Sequence, residues 1–201
     1  MQKYCTIYLV RHGETDWNVK KLIQGHLNIL LNEKGKIQAK KLAEKLTHVK
    51  FNAVFSSDLI RAKKTAEIIV LEKKLTVITT KALRERYFGH FQGKHIEVLK
   101  QKLGEQIGLS KKSQKKYGFE DVENDEEIIA RFISYLREIA VAYPKKNVLV
   151  IAHGGVMRVL FNHLGYAIPN FSQKIMKNTG YAVIDSDGVD FIVKEENLFH
   201  N

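Results

Sequence analysis

Apolar residues along the chain follow two rhythms. Residues 4–10 (YCTIYLV), 52–57 (NAVFSS), 75–80 (LTVITT) and 146–155 (KNVLVIAHGG) are short runs rich in apolar and β-branched residues, and each predicts a buried strand. Helical spacing fills the gaps between them. Residues 33–49 place Ile37, Leu42, Ala43, Leu46 and Val49 on one stripe. SDLIRAKKTAEIIVLE (57–72) predicts a helix with Ser57 or Asp58 as its N-cap. Residues 125–142 set Ile128, Ile129, Phe132, Leu136 and Ile139 on one side, and Pro144 marks the end. VMRVLFNHLG (156–165) predicts a further helix, and YAVIDSDGVDFIVKE (181–195) a hairpin turning at Asp187-Gly188. Strands alternating with helices predict an α/β fold with a mostly parallel sheet covered on both faces. No internal repeat is visible.

In such folds ligands bind beyond the carboxyl ends of the strands. The first strand ends in Arg11-His12-Gly13, and the strand near 150 ends in His153-Gly154. If the two strands are parallel neighbours, both histidines emerge on one edge, each followed by a glycine that lets the chain turn and a ligand approach closely. Arg61 falls in the first turn or so of the helix after the second strand. Two guanidiniums and two imidazoles on one rim predict an anion pocket, with helix N-termini adding backbone N–H groups. The competing reading gives Arg61 a surface ion pair with a residue such as Glu67. Metal spacings are lacking: there is no CxxC, no HExxH and no Walker loop. Metal-free phosphoryl transfer then needs a nucleophile, cations and a proton donor.

Composition narrows the field without changing the picture. The 201 residues suit a single domain, and 44% hydrophobic with 27% charged content suits a globular chain. Cys5 is the lone cysteine, which fits a reducing compartment. No apolar run reaches membrane-spanning length, and MQKYCTIYLV does not read as a signal peptide, so a cytoplasmic protein is expected. The net charge of +11 carries no nucleic-acid recognition motif with it. Residues 94–118 hold seven lysines against Glu97 and Glu105, and FEDVENDEE (119–127) holds six acids and no base. Such blocks predict a solvated or mobile insertion around 95–125.

RHGETDWN, QGHLNILL, SSDLIRAKKTA, LRERYFGHFQGK and AHGG, in that order, resemble the histidine phosphatase superfamily in its phosphoglycerate-mutase-like branch. The resemblance implies a three-layer αβα sandwich with a mostly parallel mixed central sheet. It implies that His12 is the nucleophile, that Arg11, Arg61 and His153 bind the phosphoryl group, and that Glu85 is the general acid. Asn18 would hydrogen-bond a phosphate oxygen, or else cap a turn. Gly154 would bring its amide near the phosphate, Gln24 and Gly25 would line the substrate side, and Asn178 would touch the pocket. Glu85 has an alternative as an ion-pair partner of Arg84 or Arg86. Glu14 and Thr15 would fix the loop carrying His12. Trp17, Tyr87 and Phe88 are expected to pack, and His26, His90, His95 and His163 to stay outside the chemistry, with His26 and His90 having an alternative at the edge of the pocket. Asn28 and Leu30 depart from the aspartate and proline often seen after the Gly25 position. Mutases of the branch place a tyrosine and a lysine where this chain has Phe88 and Ile96. The expected activity is a metal-independent phosphomonoesterase using no cofactor and acting on a small phosphorylated metabolite of sugar phosphate or bisphosphate type. The alternatives are a cofactor-dependent phosphoglycerate mutase and a non-catalytic phospho-ligand-binding member of the fold. The sequence does not fix the oligomeric state, a homodimer being one option.

Overall fold

The computed structural model describes residues 4–103, 109–166 and 176–198. Six strands form one sheet: β1 (Cys5–Arg11), β2 (Ala53–Ser57), β3 (Val77–Thr80), β4 (Asn147–Ala152), β5 (Tyr181–Ser186) and β6 (Phe191–Asn197). Their spatial order is β3-β2-β4-β1-β5-β6. β1, β2, β3 and β4 run parallel, and β5 and β6 close one side as the antiparallel hairpin expected from 181–195.

The helices are α1 (Asp16–Val19), α2 (Glu33–Lys45), α3 (Ile60–Val70), α4 (Ile96–Leu103), α5 (Lys111–Tyr117), α6 (Asp125–Ile128), α7 (Ser134–Ala142) and α8 (Gly154–His163). Successive strand residues point to opposite faces, so β1, β2, β4 and β5 feed two cores. Ile7, Leu9, Val148 and Val150 pack with Phe132, Leu136 and Leu160 from α7, α8 and the segment before α7. Val10, Val54, Leu149 and Ile151 pack with Leu42, Ala66 and Ile69 from α2 and α3. The result is a three-layer αβα sandwich with a mixed, mostly parallel sheet. A third apolar cluster stands apart from the sheet. It joins Ile23, Phe88, Phe91, Leu99, Leu109, Phe119 and Val122, with Ile96 and Tyr117 against it, and forms a cap.

Several local expectations are corrected. α2 ends at Lys45, and its buried positions are Gly35, Ala39 and Leu42, while Ile37 is 52% exposed. Asn32 caps it by accepting from the Gly35 N–H at 2.8 Å. α3 starts at Ile60 with Leu59 at the cap position, so neither Ser57 nor Asp58 is its N-cap. Asn28 does that work from a distance, its Oδ1 accepting from the Ile60 N–H at 3.0 Å. This side chain ties the 25–30 loop to α3. The helix over 125–142 is interrupted by a π turn at Ile129–Ile133. α8 begins at Gly154, so both glycines after His153 lie in its first turn and not in the strand. The acidic run is partly solvated, with Glu120, Asp121, Glu126 and Glu127 exposed, and partly paired. Asp121 pairs with His90, Asp125 with Arg86 and Glu123 with Arg131. Residues 104–108 of the lysine-rich insertion lie outside the described residues.

Candidate active site

β1 and β4 are hydrogen-bonded neighbours, with Arg11 level with Ala152. Their ends therefore deliver His12 and His153 to the same edge. The His12 N–H donates to the Ala152 carbonyl at 3.1 Å, and the Thr179 N–H reaches the Arg11 and His12 carbonyls at 3.1 and 3.3 Å. The His12 position is thus an extension of the sheet ladder. Gly13 has a packing reason. A Cβ there would stand 2.6 Å from the Gly35 carbonyl oxygen, so two glycines let α2 press against the His12 loop. Thr65 Oγ1 accepts from the Gly13 N–H at 3.0 Å and donates to the Arg61 carbonyl at 2.7 Å, which ties α3 to the same loop. Glu14 is held from α2 by Lys34 at 3.0 Å and Gln38 at 2.9 Å. Thr15 caps α1 in a reciprocal box with Asn18.

His12 and His153 are buried, with ring centroids 5.1 Å apart and planes tilted by 57°. The His12 Nδ1 lies 2.7 Å from the Gly13 carbonyl. A carbonyl only accepts, so Nδ1 carries the proton and the lone pair is on Nε2. Burial, then Arg61 and Arg11, push the His12 imidazole well below its ordinary 6.5. His153 is pushed down the same way, by burial first, then Arg61, His12 and Arg11. Both rings are neutral at pH 7. Neither His153 nitrogen has a hydrogen-bond partner among the described residues.

Arg61 is fully buried and makes no ion pair with Glu67, which pairs with Lys64. Its guanidinium donates to the Leu27 and Gly25 carbonyls, both at 2.8 Å, and its Nε finds no partner among the described residues. Arg11 repeats the arrangement. One terminal nitrogen donates to the Met176 carbonyl, and its buried Nε is unpartnered among the described residues. Burial lowers both guanidiniums, Arg61 to about 10, so they stay cationic at neutral pH.

Glu85 is not an ion-pair partner of its neighbours. Arg84 is bidentate to Asp58 at 2.7 and 2.6 Å, and Arg86 binds Asp125. The Glu85 carboxylate instead accepts from the N–H groups of Gly155 (3.0 Å) and Val156 (3.1 Å), where the α8 dipole favours an acceptor. Gly155 makes this possible, since a Cβ there would fall 2.3 Å from Glu85 Oε1. The helix N-termini expected to bind the anion are therefore partly engaged already, by Glu85 on α8 and by Asn28 on α3.

A cleft of about 100 Å³ gathers seven of the ten expected residues: Arg11, His12, Asn18, Gln24, Gly25, Arg61 and Glu85. Its remaining walls are Leu22, Ile23, Phe88 and Ile96. The other three stand around it. His153 lies against the His12 ring. Gly154 backs Arg11, with room for a Cβ only 3.3 Å from its Nε. Asn178 donates to the His12 carbonyl at 3.1 Å and to Asn18 Oδ1 at 3.3 Å. Asn178 lines a second cleft of about 340 Å³ that shares Arg11 and Asn18 with the first. Three further residues stand near the site, of which Arg158 and Arg131 were not singled out in the sequence. Arg158 is a buried cation pushed to about 10 by burial, with Arg11 acting in the same direction and Glu85 against it. It stands one helical turn after Gly154 in a stretch, 155–161, that is otherwise apolar, a signal the sequence does carry. His26, expected to stay outside the chemistry, anchors the Glu85 carbonyl through Nε2 at 2.8 Å. Arg131 anchors the same carbonyl at 3.1 Å, and the sequence gives no hint of it. Among the described residues no group of three or more His, Cys, Asp or Glu is placed to hold a metal, and no helix is long and apolar enough to cross a membrane.

Known proteins share this arrangement of strands and sequence blocks. A broad-specificity phosphatase of Saccharomyces cerevisiae is 31% identical over 198 residues, covering 94% of this chain and 83% of its own. A metal-independent phosphoserine phosphatase of Arabidopsis thaliana is 37% identical over 158 residues, covering 77% and 66%. The solved structure of YhfR from Bacillus stearothermophilus superposes with a TM-score of 0.82 at 26% identity, each chain covered to 98%. The sequence profile of the histidine phosphatase superfamily (branch 1) matches residues 7–198, and the chain belongs to that superfamily.

Proposed function

We propose that this phosphatase hydrolyses phosphomonoesters of small metabolites without a metal, through a phosphohistidine on His12. The observation that carries the reading is the state of His12. Its Nδ1–H is fixed to the Gly13 carbonyl, which leaves the Nε2 lone pair free, in a pocket that also holds the buried Arg11 and Arg61 guanidiniums.

In the first step the Nε2–phosphorus bond forms and the phosphorus–oxygen ester bond breaks. The electron pair leaves on the alcohol oxygen, which takes a proton from the Glu85 carboxyl group. In the second step water attacks phosphorus, its proton passes to the Glu85 carboxylate, and the Nε2–phosphorus bond returns its electrons to the ring. Inorganic phosphate leaves. Arg11, Arg61 and His153 meet the charge on the three non-bridging oxygens. Each well-placed donor of this kind is worth about 10²–10³ in rate. Asn18, Gln24 and Gly25 border the phosphoryl position, Gly154 supports Arg11, and Asn178 supports the loop of His12 and Asn18. The names of the yeast and Arabidopsis relatives support hydrolysis, and the second supports metal independence.

The test is phosphate release from a panel of sugar phosphates, sugar bisphosphates, phosphoglycerates, phosphoserine, nucleotides and an aryl phosphate, with and without EDTA. Release unchanged by EDTA and absent in His12→Ala is the expected result. Isomerisation of phosphoglycerates without release would make the enzyme a mutase, and loss of activity on chelation would contradict the metal-free mechanism.

A further inference from the structure

The acidic run around 119–127 has no place in the chemistry described so far, yet it is bound tightly to the segment that carries Glu85. That segment lies between a 3-10 turn ending at Leu83 and another beginning at Gly89. It belongs to no strand or helix, so its position must come from side chains.

Arg131 supplies them. Its Nη1 donates to the Ala82 and Arg84 carbonyls at 2.9 and 2.8 Å, and its Nη2 donates to the Glu85 carbonyl at 3.1 Å. Its Nε and Nη2 grip both oxygens of Glu123, at 2.5 and 2.7 Å. Glu123 closes the ring. It accepts from the Tyr87 N–H at 3.1 Å, its own N–H donates to the Tyr87 carbonyl at 2.9 Å, and its carbonyl accepts from Arg86. The two side chains are only 22% and 14% exposed. Arg131 sits in the π turn at Ile129–Ile133, a local widening of the helix of a kind found frequently at functional sites.

We propose that the Arg131–Glu123 pair is a positioning device that sets the Glu85 carboxyl group against the leaving oxygen. The proposal rests on the reading of Glu85 as the general acid. Arg131 does not line the phosphate cleft; it touches the acid through the Glu85 carbonyl, and its charge also reaches His153. Two carbonyls of the acid segment, Arg84 and Glu85, and that of Ala82 just before it converge on one planar guanidinium, which a lysine with its single nitrogen cannot reproduce. The Glu85 carbonyl is held from two sides, by Arg131 and His26, so the side chain starts from a fixed peptide before reaching Gly155 and Val156. The pair also joins this segment to the chain next to Val122 of the cap cluster, so the acid segment and the cap are tied together.

The experiment measures kcat/KM for a primary alkyl phosphate and for an aryl phosphate, whose leaving group needs little protonation. The proteins are wild type, Arg131→Met, Arg131→Lys, Glu123→Gln and Glu85→Gln, each with its melting temperature. Misplacing a catalytic group by 1 Å can cost about 10²-fold, and general acids contribute about 10²–10⁴-fold. Arg131→Met is expected to lose about 10²-fold on the alkyl ester and less than about 5-fold on the aryl ester. Arg131→Lys is expected to show the same split, since charge without the fork does not restore the geometry, and Glu123→Gln a smaller one. If Arg131→Met does not fold, Glu123→Gln carries the same test. Equal losses on both esters in the Arg131 and Glu123 variants, while Glu85→Gln remains selective, would overturn the positioning role and leave the acid in place. An unselective Glu85→Gln would overturn both.

Discussion

The two halves of the candidate active site are held by different means. The His12 half is an extension of the sheet, with backbone hydrogen bonds to Ala152 and from Thr179, and a glycine pair that brings α2 against the loop. The Glu85 half has no ladder. It depends on Arg131, His26 and Glu123 around the peptide, and on two N–H groups of α8 around the carboxylate. Moving the half proposed to bind the phosphoryl group means opening the sheet ladder. The half proposed to transfer the proton can shift if a few polar contacts change. Damage to the first half should reduce activity on every phosphoester, and damage to the second should depend on how badly the leaving oxygen needs a proton.

The sharpest break of this comparison is Arg61→Met. It removes a buried cation and the grip on the Gly25 and Leu27 carbonyls, and kcat/KM should fall by at least about 10³-fold on alkyl and aryl esters alike. A loss confined to alkyl esters would place Arg61 in the wrong half. Gly155→Ala acts on the other half, since its new Cβ would collide with Glu85 Oε1. Steady-state assays should show about a 10–10² loss on alkyl esters and little change on aryl esters. Equal loss there would mean that the substitution distorts α8 as a whole.

A third outcome concerns pH. The folded His12 and His153 rings lie well below 6.5, so the unfolded chain binds more protons as pH falls past that value, and folding stability drops. Each ring adds up to about 1.4 kcal/mol per pH unit to that slope. Urea melts between pH 7 and pH 5 should show it, and saturating phosphate or vanadate should reduce it by supplying counter-charge. A stability that is flat over this range would show that the rings titrate normally. The smallest expected effect is in the cap. Phe91→Ala should cost about 3–5 kcal/mol of local packing yet leave aryl ester turnover within about threefold. A large loss on aryl esters would tie the cap to the His12 half instead.

The same division decides what the sequence reveals. Apolar runs, two His-Gly strand ends and an arginine early in a helix are local signals, and the parallel register of β1 and β4 turns them into one pocket. The sheet, its two faces and the meeting of His12, His153, Arg11 and Arg61 all follow from patterns a few residues long. What the chain does not announce are contacts between distant segments. The acidic run reads as solvated because its partners, Arg86, His90 and Arg131, lie between 8 and 39 positions away in segments of different pattern. The capping of α3 by Asn28 is invisible for the same reason, and so is the need for Gly155, which exists only because Glu85 arrives beside it. Ile37 fails differently. It fits the helical stripe, but α2 turns its glycine side to the His12 loop and leaves Ile37 in solvent.

The central claim is that His12 Nε2 takes the phosphoryl group. The most direct measurement is rapid quenching of the enzyme during turnover of a phosphoryl-labelled ester, followed by peptide mapping. The account predicts label on His12, stable to alkali and lost in acid, absent from His12→Ala and discharged on further incubation in water. Turnover without any phosphoenzyme, or label on another residue, would contradict it.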